Sequence, residues 1–392
     1  MPQTGSELQN RIPYFLLLSS LGLSLARSAG APGNVPPHGQ IVYSAQVSQE
    51  EYTHDGGRYD LFLRMVPNGK VTRLTNHRAH PERKLGGAIR EPSFSADGKR
   101  VLFLADDANS DEDVRKTMTG AAPYPYTLLN VWGLETRTPT VRPYTKGGLG
   151  WHHARWSPSG HFFCAVYPSR AGVLDQDVPI PDDIYVWNTH TRKGHRLARV
   201  PYGVDDLFWS RNGSSVIYQS GPSANLYSVP RQGGKSTMLL RGKAGRFGYS
   251  FSPDSRKVAY VDTDAVYVAN ASGSSATAVV KLFRSKDAPP WPRPQWARDG
   301  KKLAACELSS SGATITTKLH VYDAVIGKGR AVATLKELVT SMAWSNSGHW
   351  LVVNVRANSR VGLLAISAAD GNSVMLKEPD EVTKGLDWCE SH

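Results

Sequence analysis

Eight charged or polar side chains stand one to three residues before an aromatic residue at repeated places in the chain. If the fold gathers them, arginines among them could hold a peptide terminus or a sugar carboxylate by bidentate hydrogen bonding. The simpler interpretation is that they hydrate a polar opening and pair with one another. The predicted partner-binding residues are Glu91, His153, Arg155, Asp206, Tyr249, Arg293, Gln295 and Asp387.

Histidines raise the question of a metal site. His152 and His153 are adjacent, and neighbouring side chains on a strand point to opposite faces, so a bulge would be needed for both to bind one ion. His77 and His80 could join His153 only through the folding of loops. An acidic run from Asp106 to Asp113 lacks the ligand spacing of a calcium loop. We therefore expect no metal and no cofactor.

Motifs for covalent catalysis or nucleotide binding do not stand out. There is no G-x-S-x-G nucleophile elbow. The segment "GGKST" (Gly233–Thr237) lacks the upstream glycine of a phosphate-binding loop and lies between two predicted strands. The sequence leaves an enzymatic activity open, and a non-catalytic role is the preferred interpretation.

The elements that must position these residues are β-strands. In "GYSFSPDSRKVAYVDTDAVYVANASG" (Gly248–Gly273) apolar residues alternate with others, which is the two-residue period of a strand. The tetrapeptide Ser252–Ser255 contains a proline and an aspartate suited to a tight turn. The segment is therefore a strand, a turn, and two further strands.

The same pattern recurs at intervals of 42 to 62 residues, and each unit continues into a second hairpin. Units of this length with four short strands are typical of β-propeller blades. The aromatic residues that mark the first strand of each unit are Phe94, Trp156, Trp209, Phe251, Trp296 and Trp344.

The ends of the chain complement each other. The segment "GQIVYSA" (Gly39–Ala45) resembles a second strand without a first, and "KGLDWCESH" resembles a first strand without a second. We predict an all-β, seven-bladed β-propeller of four-stranded blades, closed by the C-terminal strand joining the N-terminal blade. Six blades are the alternative, if the irregular unit 99–150 is misassigned.

Connection lengths are asymmetric. In a four-stranded antiparallel blade, with strands A to D, the D–A and B–C connections leave one face and the A–B and C–D connections leave the other. Almost all A–B and C–D connections are tight turns here, whereas six long insertions are D–A or B–C connections. Because binding residues tend to collect on loops held by a rigid scaffold, we expect the site on that face.

The N-terminal segment differs from the rest. An apolar run, Ile12–Ala26, is too short for a comfortable membrane span and is followed by small residues, as in a secretory signal. We predict a signal peptide at 1–31, a single β-propeller domain at 32–392, and a periplasmic or secreted location. No transmembrane span is expected after signal removal, and the three cysteines do not indicate a disulfide framework.

The formal net charge of +12 favours acidic partners. The partner classes expected are a protein or an anionic cell-envelope component. Nucleic acid is not expected, because no basic run is interleaved with aromatic residues. We expect the chain to be a monomer.

The repeats "SFSADGKRVLF", "RWSPSGHFF", "SFSPDSRKVAYV", "QWARDGKKLA" and "AWSNSGHWLVV" resemble the WD-like repeats of the TolB-type propeller family, over about residues 40–389. The resemblance implies the propeller fold and a periplasmic binding role. It is less specific for function, because similar propellers occur in peptidases and lyases. The alternative function is a polysaccharide-active enzyme, similar to oligogalacturonate lyases, with its site at the channel mouth.

Overall fold

The strands form seven four-stranded antiparallel sheets within the unit Pro37–His392. Each sheet is one blade, which confirms the predicted all-β architecture with seven blades and not six. The computed structural model describes residues 36–48, 58–76, 89–106, 129–145, 150–168, 181–243, 246–262, 265–281, 292–311, 314–357, 360–381 and 383–390.

Blades 1 to 3 follow the chain in order. Blade 1 comprises β4 (Arg90–Phe94), β5 (Arg100–Ala105), β6 (Asn130–Glu135) and β7 (Arg142–Pro143). Blade 2 comprises β8 (His152–Trp156), β9 (Phe162–Pro168), β10 (Asp182–Asn188) and β11 (Gly194–Val200). Blade 3 comprises β12 (Asp206–Trp209), β13 (Ser215–Ser220), β14 (Asn225–Pro230) and β15 (Thr237–Leu240).

Blades 4 to 6 continue the series, and blade 7 combines the two ends of the chain. Blade 4 comprises β16 (Phe247–Phe251), β17 (Lys257–Asp262), β18 (Ala265–Asn270) and β19 (Thr277–Lys281). Blade 5 comprises β20 (Gln295–Trp296), β21 (Lys302–Ser311), β22 (Thr314–Asp323) and β23 (Lys328–Leu335). Blade 6 comprises β24 (Leu338–Trp344), β25 (Trp350–Ala357), β26 (Arg360–Ser367) and β27 (Ser373–Glu381). Blade 7 comprises β28 (Thr383–Cys389), β1 (Gly39–Ser48), β2 (Arg58–Val66) and β3 (Val71–Arg73).

The ring closes as predicted from the sequences of the two chain ends. Strand β28 pairs antiparallel with β1, with Trp388 opposite Ile41. Trp388 is fully buried, and its indole N–H donates to the carbonyl oxygen of His38 at 3.0 Å. The Ser347 hydroxyl of blade 6 donates to the Glu390 carboxylate at 2.7 Å, so the last described residue is tied to the neighbouring blade.

Apolar side chains fill the spaces between blades. The described residues form seven buried clusters, one at each junction of neighbouring blades. At the junction of blades 6 and 7, for example, Leu363 and Ala365 pack with Ile41 and Trp388. Because every blade depends on both neighbours for burial, the ring is stabilised as a whole.

The A–B turns repeat one arrangement. In blade 4 the Ser252 hydroxyl donates to Asp254 at 2.6 Å and accepts from the backbone N–H of Lys257 at 2.9 Å. The fourth residue of each turn has a positive φ, which is why it is usually glycine, for example Gly98 at 67°. In blades 1 to 6 these turns hold the first strand against the second.

Tryptophans join neighbouring first strands. The indole N–H of Trp209 donates to the carbonyl oxygen of Arg155 at 3.0 Å, and that of Trp344 donates to Gln295 at 2.7 Å. Trp156 and Trp296 make the same bond to the residue before the aromatic of the preceding blade. These bonds fix the strand backbone next to several predicted site residues.

The antiparallel strand order places all D–A and B–C connections at one pole, the long-loop pole, and all A–B and C–D turns at the opposite, short-turn pole. The long insertions predicted from the sequence join strand ends at the long-loop pole. Most of the insertion at 145–155 is described, whereas the other five insertions lie mostly, and the predicted signal peptide wholly, outside the described residues. In the described part of the chain, no helix has the length and apolar character needed to cross a bilayer.

Candidate functional site

The first strands of four blades share a bulge at the long-loop pole. Pairing with the second strand is interrupted between Arg90 and Ser93 in blade 1 and between His152 and Arg155 in blade 2. In blades 1, 2, 4 and 7, the residue three positions before the aromatic has a positive φ. These residues are Glu91 (49°), His153 (54°), Gly248 (64°) and Gly385 (75°).

Glycine is the residue expected in this left-handed conformation, and two of the four blades use it. Glu91 and His153 adopt it with a side chain, at a cost of roughly 1–2 kcal/mol each. Closure of the ring does not require a side chain at this position, because blade 7, which closes the ring, has glycine there (Gly385). Strained backbone of this kind is concentrated at functional sites, so the two side chains are candidates for function.

The two strained residues belong to a group of five charged or titratable side chains from four blades, which we name the mouth group: Glu91, His153, Arg155, Asp206 and Arg293. The Arg155 Nη1 donates to Glu91 Oε2 at 2.7 Å. The Arg155 Nη2 lies 3.6 Å from Asp206 Oδ1, and Arg293 makes an ion pair with the other oxygen of Asp206. The structure thus brings together five of the eight residues predicted from the sequence.

Charge and burial set the protonation of the group. Burial alone would raise the pKa of Glu91, but attraction to Arg155, His153 and Arg293 outweighs it and lowers the pKa to about 2. Asp206 is 2% exposed, and burial raises its pKa although Arg293 and Arg155 oppose the shift. Two guanidinium groups thus face two carboxyl groups; Asp206 is buried, whereas the side chains of Arg155, Glu91 and Arg293 remain about a third exposed.

His153 is neutral near pH 7. Burial lowers its pKa to about 3, the positive charges of Arg155, His152 and Arg293 act in the same direction, and Glu91 opposes them. Its Nδ1 atom is buried and has no hydrogen-bond partner among the described residues. A base whose conjugate acid has such a low pKa is weak at neutral pH, so the ring is better suited to hydrogen bonding than to proton abstraction.

Three of the eight predicted residues have other surroundings. Tyr249 is fully buried against Tyr260, with ring centroids 5.6 Å apart, and burial raises its pKa to about 12. Asp387 accepts from the backbone N–H of Phe94 at 2.8 Å, which joins blade 7 to blade 1. The backbone carbonyl oxygen of Gln295 accepts a hydrogen bond from the indole N–H of Trp344.

The histidine pair departs from the strand alternation expected from the sequence. Because the bulge interrupts the alternation, the rings of His152 and His153 lie 4.8 Å apart. The described residues contain no group of three or more histidine, cysteine, aspartate or glutamate side chains placed to hold a metal. His77, His80 and the acidic residues beyond Asp106 lie outside the described part of the chain.

The sequence did not indicate the partner of His152. Its Nε2 lies 3.8 Å from Asp182, a carboxylate that also accepts from the backbone N–H of Val204 at 2.7 Å. Acidic or amide residues also occur near the start of other third strands, as Asp60 and Asn130 do. That repetition was the available signal, and it indicates a structural bond more than a binding role.

Comparisons with known proteins agree with the architecture. No family model matches the sequence. The uncharacterized peptidase YuxL of Bacillus subtilis (strain 168) is 28% identical over 130 residues, which is 33% of this chain and 17% of the peptidase. TolB from Acinetobacter baumannii is similar at a TM-score of 0.50 with 16% identity, over 89% of this chain and 66% of TolB. The chain shares its propeller fold with TolB.

A second solved structure shares the fold as well. An oligogalacturonate lyase in complex with manganese is similar at a TM-score of 0.56 with 14% identity, over 87% of this chain and 85% of the lyase. Identity at this level establishes the fold alone, which is consistent with the propeller resemblance read from the repeats. The chain covers only a minor part of the peptidase and just under two thirds of TolB.

Proposed function

We propose that this chain is an exported, non-catalytic β-propeller that binds a protein or anionic cell-envelope partner through its long-loop pole. The mouth group is the centre of the proposed surface. The proposal rests on one observation: Glu91 and His153 adopt a left-handed conformation at the position where blades 4 and 7 have glycine. Glu91 and His153 therefore carry a conformational cost that blades 4 and 7 avoid with glycine.

The chemistry of the mouth group suits binding. Arg155 and Arg293 present planar donors that match carboxylates, and Glu91 and Asp206 can accept from amines. The unpartnered Nδ1 of His153 supplies a further polar atom for a ligand. A partner that carries both charges, such as a chain terminus or a polar loop of a protein, can exchange these internal bonds for its own.

The test replaces Glu91 and His153 by glycine, the residue at the same position in blades 4 and 7. Glu91→Gly together with His153→Gly should preserve the propeller and abolish specific capture of the partner from a cell-envelope extract, as followed by quantitative mass spectrometry. The matched control is Ser255→Gly with Ser275→Gly, since both serines have a positive φ (55° and 56°) at the short-turn pole.

Capture that is unchanged in the first double variant, with a normal unfolding transition, would remove the mouth group from the proposal. If the double variant does not fold, His153→Gly alone serves, because it breaks no ion pair of the network. The control variant should capture the partner as the unchanged chain does.

An enzyme acting on an acidic polysaccharide at the same pole is the second candidate. The likeness to the manganese-bound lyase over most of its length favours it. Elemental analysis of the purified full chain separates the candidates: a stoichiometric transition metal supports the enzyme. A metal-free preparation that does not cleave acidic oligosaccharides, even after manganese is added, supports the binder.

A further inference from the structure

A cavity lies at the short-turn pole, opposite the pole that carries the mouth group. It has a volume of about 940 Å³ and opens between blades 1 and 2. Its walls come from the A–B and C–D turns of these two blades, and we name it the inter-blade cleft. A cavity of this size is within the range of small-molecule sites.

Local sequence explains why a cleft forms here. The outer strand of blade 1, β7, has only two residues, so it leaves the neighbouring blade uncovered. The Tyr144 ring occupies part of this space because Gly133 has no side chain; a Cβ at Gly133 would lie 2.5 Å from the ring. The floor of the inter-blade cleft is therefore aromatic, with Trp156 on the side of blade 2.

Three guanidinium groups line the inter-blade cleft: Arg100, Arg142 and Arg192. Arg100 lies 5.0 Å from the ring centre of Trp156 and donates to the carbonyl oxygen of Gly160 at 2.8 Å. Arg192 lies 5.5 Å from the ring centre of Tyr144 and donates to the carbonyl oxygen of Pro143 at 2.7 Å. Two of the three are thus held in place by neutral partners.

None of the three arginines forms a salt bridge with a carboxylate in the described ranges, in contrast to Arg155 and Arg293 of the mouth group. Because each guanidinium carries five N–H donors, Arg100 and Arg192 retain donors beyond the bonds that hold them. Glu135 is the single carboxylate among the lining residues, so the wall carries an excess of positive charge.

Hydroxyl and amide groups complete the wall. Thr138, Thr140, Asn188 and Thr189 line the cavity together with His161 and His190. Such groups donate to and accept from sugar hydroxyls, while the aromatic floor can pack against a ring. Positive charge, polar hydroxyls and an aromatic surface occur together in this one cavity.

We propose that the inter-blade cleft binds a small sugar that carries an oxyanion, either a carboxylate or a phosphate. The oxyanion pairs with Arg142 and Arg192 at the rim, and the sugar ring lies in the inter-blade cleft beside the edges of Tyr144 and Trp156. Bidentate guanidinium contacts suit both anions equally, so the source of the anion is distinguished by experiment. This site is independent of the proposed partner-binding function at the other pole.

Calorimetric titration of the full chain tests the proposal with four probes: glucuronic acid, glucose 6-phosphate, inorganic phosphate and glucose. We expect at least one anionic sugar to bind at least tenfold more tightly than both glucose and inorganic phosphate. A preference for glucuronic acid assigns a carboxylate ligand, and a preference for glucose 6-phosphate assigns a phosphate ligand. Anionic sugars that bind no better than glucose, or no better than inorganic phosphate, overturn the proposal.

A pair of variants locates the binding. Arg142→Gln with Arg192→Gln should weaken the binding of the preferred sugar at least tenfold. The control, Arg211→Gln with Arg241→Gln, makes the same change in net charge at exposed positions outside the cavity and should alter binding less than twofold. Equal losses in both variants would show a general charge effect and refute the inter-blade cleft as the site.

Discussion

At the residue scale, the mouth group combines opposite charges with one neutral histidine. Charge compensation explains how Asp206 can be buried and how Arg155, Glu91 and Arg293 can be partly buried, since each faces an opposite charge. For His153, burial and then the nearby arginines disfavour the protonated form. The arginines therefore favour the ionised carboxylate of Glu91 and, together with burial, the neutral imidazole of His153.

The neutral state of His153 predicts a dependence of stability on pH. Its pKa is about 3 in the folded chain and near 6.5 when unfolded, so between these values only the unfolded chain gains the proton. The free energy of unfolding should fall as the pH decreases from 6.5 toward 3, by at most about 1.4 kcal/mol per pH unit from this residue.

His153→Asn isolates this contribution, because asparagine does not titrate and tolerates a positive φ. Denaturant unfolding at pH 7.0 and pH 5.0 should show a smaller acid loss in the variant than in the unchanged chain. Equal losses in both proteins would contradict a depressed pKa at His153. Ser275→Asn, which places asparagine at another positive φ (56°) without removing a titratable group, is the control and should leave the difference between the two pH values unchanged.

At the element scale, the A–B turn is the unit that recurs. A serine begins it in blades 1, 2, 3, 4 and 6, where its hydroxyl accepts the backbone N–H five residues later, as Ser95 does from Arg100 at 3.1 Å. Blade 5 has Ala297 at this position, and the turn hydrogen bond from Gly300 N–H to the Ala297 carbonyl, at 2.9 Å, is retained. The backbone turn therefore forms without the serine, which adds a stabilising bond.

Exchange of serine and alanine measures that bond. Ser252→Ala should lower the free energy of unfolding by about 1 kcal/mol, because the N–H of Lys257 loses its acceptor. Ala297→Ser should raise it by about 0.5–1 kcal/mol, since Asp299 stands where Asp254 accepts from Ser252. Chemical denaturation of both variants checks the pair, and destabilisation by Ala297→Ser would show that the buried hydroxyl finds no partner in blade 5.

At the scale of the whole molecule, the ring is closed by hydrogen bonds between the ends of the chain. Blade 7 takes its first strand from the C-terminal end and the other three from the N-terminal part. Asp387 then connects this blade to Phe94 of blade 1, and Ser347 of blade 6 holds Glu390. Closure is thus secured on both sides of blade 7, which leaves no exposed edge at the junction.

Loss of the closing tryptophan should therefore affect the whole ring. Trp388→Ala removes a fully buried ring from the junction of blades 6 and 7 and should lower the free energy of unfolding by about 3–5 kcal/mol. Tyr202→Ala, at a side chain 62% exposed, should change it by less than about 0.5 kcal/mol. A loss of stability at Trp388 no larger than at Tyr202, in thermal unfolding, would contradict the closure described.

The sequence was enough to predict the blades, their number, the tight turns and the pairing of the chain ends. These features depend on short-range patterns: alternation of apolar residues within a strand and turn residues at fixed offsets, each repeated often enough to be recognised. The five residues of the mouth group could also be predicted as candidates, because their place before each aromatic is part of the same repeat.

Only the tertiary structure decided which of these candidates meet and in what state. Arg155 binds Glu91 across 64 residues of sequence because blades 1 and 2 are neighbours in the ring, and their first strands bulge at the same height. The bulge itself, the burial of Tyr249 and the inter-blade cleft beside the two-residue strand β7 arise from packing between blades. Alternation with a period of two predicts which side of a strand a residue faces. The distances between side chains and their pKa values depend instead on which residues of the neighbouring blade lie next to them.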